Sequence, residues 1–137
     1  MTTNERRVTA AIVLRDGRVL AARRAPGQKN EGLWEFPGGK VEAGESDEDC
    51  LEREMYEEFG VRGKTLAHVC DNHYVYGALG ESILLCAYVF EWRTGDFDLR
   101  VHDEIRWVDA QEIMCLRFSP ADIKIAETVK KTLLSIV

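Results

Sequence analysis

The chain reads as an α/β protein, and three observations predict that class. Two runs, residues 8–14 and 83–92, are β-branched and apolar enough to be central strands. Residues 46–60 carry the start and stop signals of one confined helix. Ser119-Pro120 opens a second helix near the C-terminus, where Ile125, Val129, Leu133 and Ile136 recur at helical spacing. With 137 residues there is chain for one domain, 1–137, with a real core.

Taken in order, residues 8–14 form a strand, Asp16-Gly17 turns it, and residues 19–24 return as its partner. Arg23 and Arg24 close that strand and point to opposite faces, one toward a groove and one toward solvent. Residues 25–32 are a loop around Pro26-Gly27, carrying Gln28, Lys29 and Asn30. Leu33-Trp34-Glu35-Phe36 is a short aromatic strand stopped by Pro37. Gly38-Gly39 then permits a close backbone approach, with Lys40 immediately after it. Residues 64–70 and 72–76 read as one long or bent strand, 77–80 as a turn, and 83–92 as the central strand. Residues 97–101 form a short strand or an ordered loop, and 105–108 another short strand. Asp109 caps a short helix over 110–115, and the last helix runs to about Ser135.

The helix over Asp47 to Phe59 concentrates the chemistry. Ser46 is its N-cap, with Asp49 completing an approximate capping box. Asp47, Glu48 and Asp49 put negative charge in the first turn, where the helix dipole favours it, and Gly60 stops the helix. Leu51, Met55 and Phe59 form the core stripe, and Glu54, Glu57 and Glu58 occupy the arc beside it. Three carboxylates at the border of a core repel one another and need a cation. Their oxygens are hard ligands suited to Mg²⁺ or Mn²⁺, and a backbone carbonyl at the Gly38-Gly39 bend can join them. The plainer reading is a solvated acidic face. The fixed spacing from Gly39 through Glu45 to Val61 decides against it.

That spacing is Gly-x5-Glu-x7-Arg-Glu-U-x-Glu-Glu-x-Gly-U, with U apolar, from Gly39 to Val61. A chance match is below roughly one in a hundred million per starting position at average residue usage. It resembles the Nudix box of the Nudix hydrolases, without departure. The surrounding Leu33-Trp34-Glu35-Phe36-Pro37-Gly38-Gly39-Lys40-Val41-Glu42 resembles the MutT and CTP-pyrophosphohydrolase branch. The resemblance implies an α/β/α sandwich with a central mixed sheet. It also implies hydrolysis of a nucleoside diphosphate linked to X, and in this branch conversion of nucleoside triphosphates to monophosphate and pyrophosphate. Carried over by position, Glu54, Glu57, Glu58 and the Gly39 carbonyl are metal ligands for Mg²⁺, with Mn²⁺ as substitute. Arg53 orients the glutamates, Glu45 braces the loop–helix junction, and Lys40 and Arg24 contact phosphate. Water then attacks phosphorus with Glu57 or Glu58 polarising it. There is one departure: a further Glu expected six residues before Trp107 is Val101 here, and Glu104 or His102 stands nearby as a replacement ligand or base.

Base recognition falls to Pro120-Ala121-Asp122 by the same resemblance, with Phe36, Tyr76 and Trp34 as stacking candidates. An ionised Asp122 only accepts hydrogen bonds, so it favours cytosine-type or guanine-type edges that present N–H groups. The leading expectation is therefore a pyrophosphohydrolase for modified or surplus nucleoside triphosphates. The alternatives are a hydrolase of nucleotide sugars or ADP-ribose, and a non-catalytic nucleotide-binding module. The net charge of −6 and the lack of a basic cluster speak against a nucleic acid polymer as partner. No apolar run is long enough for a membrane span, and residues 1–7 lack the apolar core of a signal peptide. Cys50, Cys70, Cys86 and Cys115 form no metal or disulfide pattern and read as buried apolar residues of a reducing cytoplasm. The expected assembly is a monomer or homodimer acting on a small nucleotide.

Overall fold

The computed structural model describes residues 5–134. The strands are β1 (Glu5–Ile12), β2 (Leu14–Arg15), β3 (Arg18–Arg24), β4 (Trp34–Glu35), β5 (Arg62–Tyr76), β6 (Glu81–Thr94) and β7 (His102–Val108). The helices are α1 (Asp47–Phe59) and α2 (Pro120–Val129). One sheet has the order β1-β6-β5, with β1 parallel and β5 antiparallel to the central β6. In the other, β3 pairs antiparallel with β7, and with β2 and β4 at its two ends. The segment after β4 stitches the two together: Ala11 N donates to Pro37 O at 2.7 Å, and Thr9 N to Gly39 O at 2.8 Å.

The period of two along β1 and β3 explains why these runs are apolar throughout. Ala10, Ile12, Val19 and Ala21 join one core with Ile125 and Val129 of α2. Ala11, Val13, Leu20 and Ala22 join the other with Leu51, Met55 and Phe59 of α1. Strands buried on both faces have no polar side to alternate with. The result is a mixed α/β architecture with a helix packed on each face, as the sequence predicts.

The ends of α1 follow its local signals. Ser46 Oγ accepts from Asp49 N at 3.1 Å, and Gly60 ends the helix at φ 72°. Asp47 does more than favour the dipole. It takes a two-pronged ion pair from Arg7 of β1, both bonds 2.7 Å, and Tyr88 of β6 donates to it at 2.6 Å. The helix start is thereby clamped to the sheet.

Several elements depart from the sequence reading. The first strand spans Glu5–Ile12, and Leu14–Arg15 form a separate short one. Asp16 and Gly17 both have positive φ, as the tight turn requires. Of the two readings of residues 97–101, a short strand or an ordered loop, the structure has the loop. Only Glu112–Cys115 coils after Asp109, as a 3₁₀ turn whose Gln111 and Glu112 N–H groups Asp109 Oδ1 accepts. The last helix widens into a π turn at Lys130–Leu134, which buries Leu134 and leaves Leu133 half-buried. The expected helix end at Ser135, and Ile136, lie outside the described residues. Cys50 and Cys86 are buried, but Cys70 is half-buried and Cys115 exposed; all four are free.

Candidate active site

A cavity of about 790 Å³ opens between the end of β3, the Phe36–Glu42 segment, α1, the far end of β5 and the start of α2. Glu54 and Glu58 reach it from α1, and Gly39 and Lys40 from the bend. Arg24, Phe36, Tyr76 and Asp122 reach it from the other walls. Arg53, Glu57 and Glu104 lie off the lining.

Arg53 is the hub behind the carboxylates. Its Nε and NH2 fork onto Glu45 at 2.7 and 2.9 Å. NH1 donates to Glu54 at 2.9 Å and to both oxygens of Glu57 at 3.2 Å, and NH2 also donates to Lys40 O at 3.0 Å. Only a guanidinium has a planar fork for so many acceptors. Its hydrogen bonds hold the Glu45 carboxyl down at about 2. Glu45 in turn accepts from Glu42 N at 3.0 Å, closing the Val41–Glu45 turn onto the helix.

Burial drives the carboxylates on the cavity side the other way. Glu58 is 8 % exposed, and burial, reinforced by the negative charge of Glu35, pushes it up to about 8. Among the described residues its buried Oε1 has no hydrogen-bond partner. Glu54 is also raised by burial, against the pull of Arg53. A buried carboxylate with an unsatisfied oxygen, beside a second carboxylate, is a set of hard donors that suits Mg²⁺ or Mn²⁺. The Gly39 carbonyl stands beside them, already accepting from Thr9 N, from Thr9 Oγ1 at 3.3 Å and from Cys50 Sγ at 3.4 Å. Glu57 is half-exposed and shares Arg53 from the outer side.

The strand-end arginines divide as their alternation requires. Arg23 faces outward onto Asp103, Glu104 and the Trp34 ring. Arg24 faces the cavity, with Nε 3.0 Å from Glu35 and NH2 4.0 Å from Glu58. A bulge between Arg23 and Arg24 pairs Arg23 with Glu104 but Arg24 with His102. This corrects two expectations. Glu104 is no replacement ligand: it is bound to Arg23 and, at 2.6 Å, to Arg106, on the face away from the cavity. His102 is not a loop histidine but a buried strand residue whose Nε2 lies 2.9 Å from Glu35 Oε2. Glu35, Glu58 and His102 each bring a ligand atom within 4.8 Å of the other two. Val101 offers only its carbonyl, which accepts from Ala25 N.

At the opposite wall Asp122 is 6 % exposed. It accepts from Phe36 N and from Ser119 Oγ, both at 2.9 Å. Burial, with the nearby charge of Glu35, raises its carboxyl. Both bonds use the side chain as an acceptor, and they tie it to the junction between β4 and α2. Phe36 is 3 % exposed and stacked on Phe118 at 5.2 Å, so its ring belongs mainly to the core. Trp34 is buried between Arg23 and Arg106 and does not line the cavity. Tyr76 is half-buried on the lining, with Lys29 Nζ 5.5 Å from its ring centre. Sequence reasoning missed Glu35, whose signal was an acidic residue flanked by two aromatics in a short strand, and Thr9, hidden in an apolar run.

The NUDIX domain model matches residues 5–129. The chain belongs to the Nudix family. Among Nudix relatives, the CTP pyrophosphohydrolase of Escherichia coli (strain K12) is 35% identical over 120 residues, covering 88% of this chain and 87% of that one. The oxidized purine nucleoside triphosphate hydrolase of Danio rerio is 31% identical over 108 residues, covering 77% and 67%. The solution structure of the E. coli ORF135 protein superposes with a TM-score of 0.79 at 30% identity, covering 98% of this chain and 96% of that one. As a Nudix hydrolase, the chain carries its box on α1 and the bend before it, with Glu54 and Glu58 presented to the cavity. No helix among the described residues is long and apolar enough to cross a membrane.

Proposed function

We propose that this Nudix hydrolase converts nucleoside triphosphates of cytosine or oxidised-guanine type to the monophosphate and pyrophosphate, with Mg²⁺ as cofactor and Mn²⁺ able to replace it. One observation carries the reading. The cavity has Glu54, Glu58 and Gly39 at one wall, the cations Arg24 and Lys40 beside them, and Asp122 and Tyr76 at another. A triphosphate and a base find opposite partners there. The chemistry named by the E. coli and Danio rerio relatives supports the same substrate class.

Glu54, Glu57, Glu58 and the Gly39 carbonyl would hold the divalent ion, Glu57 from the outer side. When bound, the ion lowers the pKa of water and neutralises charge on phosphoryl oxygens. Arg53 keeps Glu54 and Glu57 turned toward one place. Arg24 and Lys40 draw the polyphosphate to the carboxylates despite the acidic protein. Water forms a bond to phosphorus at the α–β anhydride, the bridging P–O bond breaks, and a carboxylate takes the water's proton. We assign that proton to Glu58, because it lies at the cavity wall and its Oε1 has no partner among the described residues. Asp122 and Tyr76 would select the base.

The test is pyrophosphate release with Mg²⁺ across dCTP, 5-methyl-dCTP, CTP, dGTP and 8-oxo-dGTP. A marked preference with pyrophosphate as product supports the reading. No turnover by folded protein on any of them overturns it, and the panel then moves to nucleotide sugars and ADP-ribose.

A further inference from the structure

We propose that His102 is a positioning residue that acts through Glu35 to hold Arg24 toward the cavity and off Glu58. The kinetic side of this rests on the triphosphate reading above; the metal-binding side does not. Arg24 stands between two carboxylates, 3.0 Å from Glu35 Oε2 and 4.0 Å from Glu58 Oε2. Which of them it joins decides what else Glu58 can bind. His102 Nε2 lies 2.9 Å from the same Glu35 Oε2, and facing a carboxylate it is the donor. A hydrogen bond from β7 and an ion pair from β3 thus converge on one oxygen of β4 and fix its rotamer.

His102 does this from behind the site. Its side chain is fully buried and absent from the cavity lining, while Arg24 and Glu35 are on it. The imidazole stacks on Phe59, the neighbour of Glu58, with ring centres 5.0 Å apart and planes 9° from parallel. The ring therefore cannot swing into the cavity. Among the described residues its buried Nδ1 has no hydrogen-bond partner, a cost that an apolar side chain of similar size would avoid. The Nε2 bond to Glu35 is, among the described residues, the one polar contact of the ring that offsets it.

Without that donor, Glu35 regains rotamer freedom and Arg24 loses its fixed partner. The next carboxylate in reach is Glu58. A guanidinium seated there opposes a divalent ion at Glu58 and withdraws a donor from substrate phosphate. Divalent-ion affinity and KM should therefore fail together.

The experiment is a cycle of His102→Leu and His102→Gln, each alone and with Glu35→Gln. Two readouts are taken: Mn²⁺ affinity by electron paramagnetic resonance, and KM against kcat on the preferred triphosphate. The expected result for His102→Leu is about a tenfold weakening of both Mn²⁺ affinity and KM, the size typical of residues that orient a metal ligand, with kcat changed less. His102→Gln, which keeps an N–H donor, should recover most of the loss, and His102→Leu should add nothing once Glu35 is Gln. Wild-type values for His102→Leu, or a loss of equal size in both backgrounds, overturns the proposal. If His102→Leu does not fold, His102→Asn, whose shorter side chain does not reach Glu35, takes its place in the two backgrounds: a loss that disappears with Glu35→Gln supports the proposal, and any other result overturns it. If the wild type turns over no triphosphate, the proposed function fails, and the Mn²⁺ cycle alone decides this inference.

Discussion

A Cβ on Gly39 would meet the carboxylate of Glu54, which would have to move aside to admit it. The glycine of the bend and Glu54 of the helix are thus a matched pair, fifteen residues apart in sequence and in contact in space. Gly39→Ala should push Glu54 away from the Gly39 carbonyl and from Arg53 NH1. The expected outcome is a 10- to 100-fold loss of divalent-ion affinity, in the range seen when metal ligands are disoriented. Calorimetric titration with Mn²⁺ checks it, and far-ultraviolet circular dichroism should be unchanged.

The carboxyls of Glu58 and Asp122 predict how stability depends on pH in the metal-free protein. Both have folded-state pKa values above those of the unfolded chain, so the folded state binds more protons between the two. Stability should therefore fall as pH rises from about 4.5 toward 8. Glu45 and Asp47 have lowered values and act in the opposite sense, but only at acidic pH. Urea unfolding in EDTA from pH 5 to 8 measures the slope. Glu58→Gln should flatten it by at most ~1.4 kcal/mol per pH unit, one proton's worth. Added Mg²⁺ should flatten it in the wild type, since it favours the ionised carboxylates. An unchanged slope in Glu58→Gln would show that Glu58 ionises as freely folded as unfolded.

Glu57 and Glu104 make a contrasting pair. Glu57 shares Arg53 with Glu54, whereas Glu104 is bound to Arg23 and Arg106 on the far face. Glu57→Gln should lower kcat by at least about 100-fold with folding nearly intact. Glu104→Gln should stay within about twofold of wild type, as expected for an outer-surface ion pair. Steady-state pyrophosphate release on both variants decides the matter, and a large loss in Glu104→Gln would contradict the geometry.

Asp122→Asn tests base selection apart from folding. An Asn can turn its carbonyl to Phe36 N and its amide to Ser119 Oγ, since a hydroxyl accepts as well as donates. The fold should survive with a change of melting temperature of a few degrees. The ratio of kcat/KM between 5-methyl-dCTP and 8-oxo-dGTP should shift several-fold, because an amide offers the base a donor that a carboxylate lacks. An unchanged ratio would confine Asp122 to the β4–α2 junction.

By itself the sequence determined the local elements and the box. Ser46, Gly60 and the Leu51–Met55–Phe59 stripe specify α1 through capping and periodicity, which act within a few residues. The spacing from Gly39 to Val61 identified the chemistry, because the carboxylates that need a shared cation lie one turn apart. Only the tertiary structure decided what stands opposite them. Glu35, His102 and Arg24 come from three strands, and their meeting depends on strand register and on one bulge. That bulge turned Glu104 outward and His102 inward, an outcome no periodicity encodes, because a single extra residue reverses every later side chain. Burial was equally out of reach: Glu58 and Glu57 are neighbours of the same type, yet one is walled in and the other open, since pKa and role follow from what packs around a carboxyl rather than from its place in a motif.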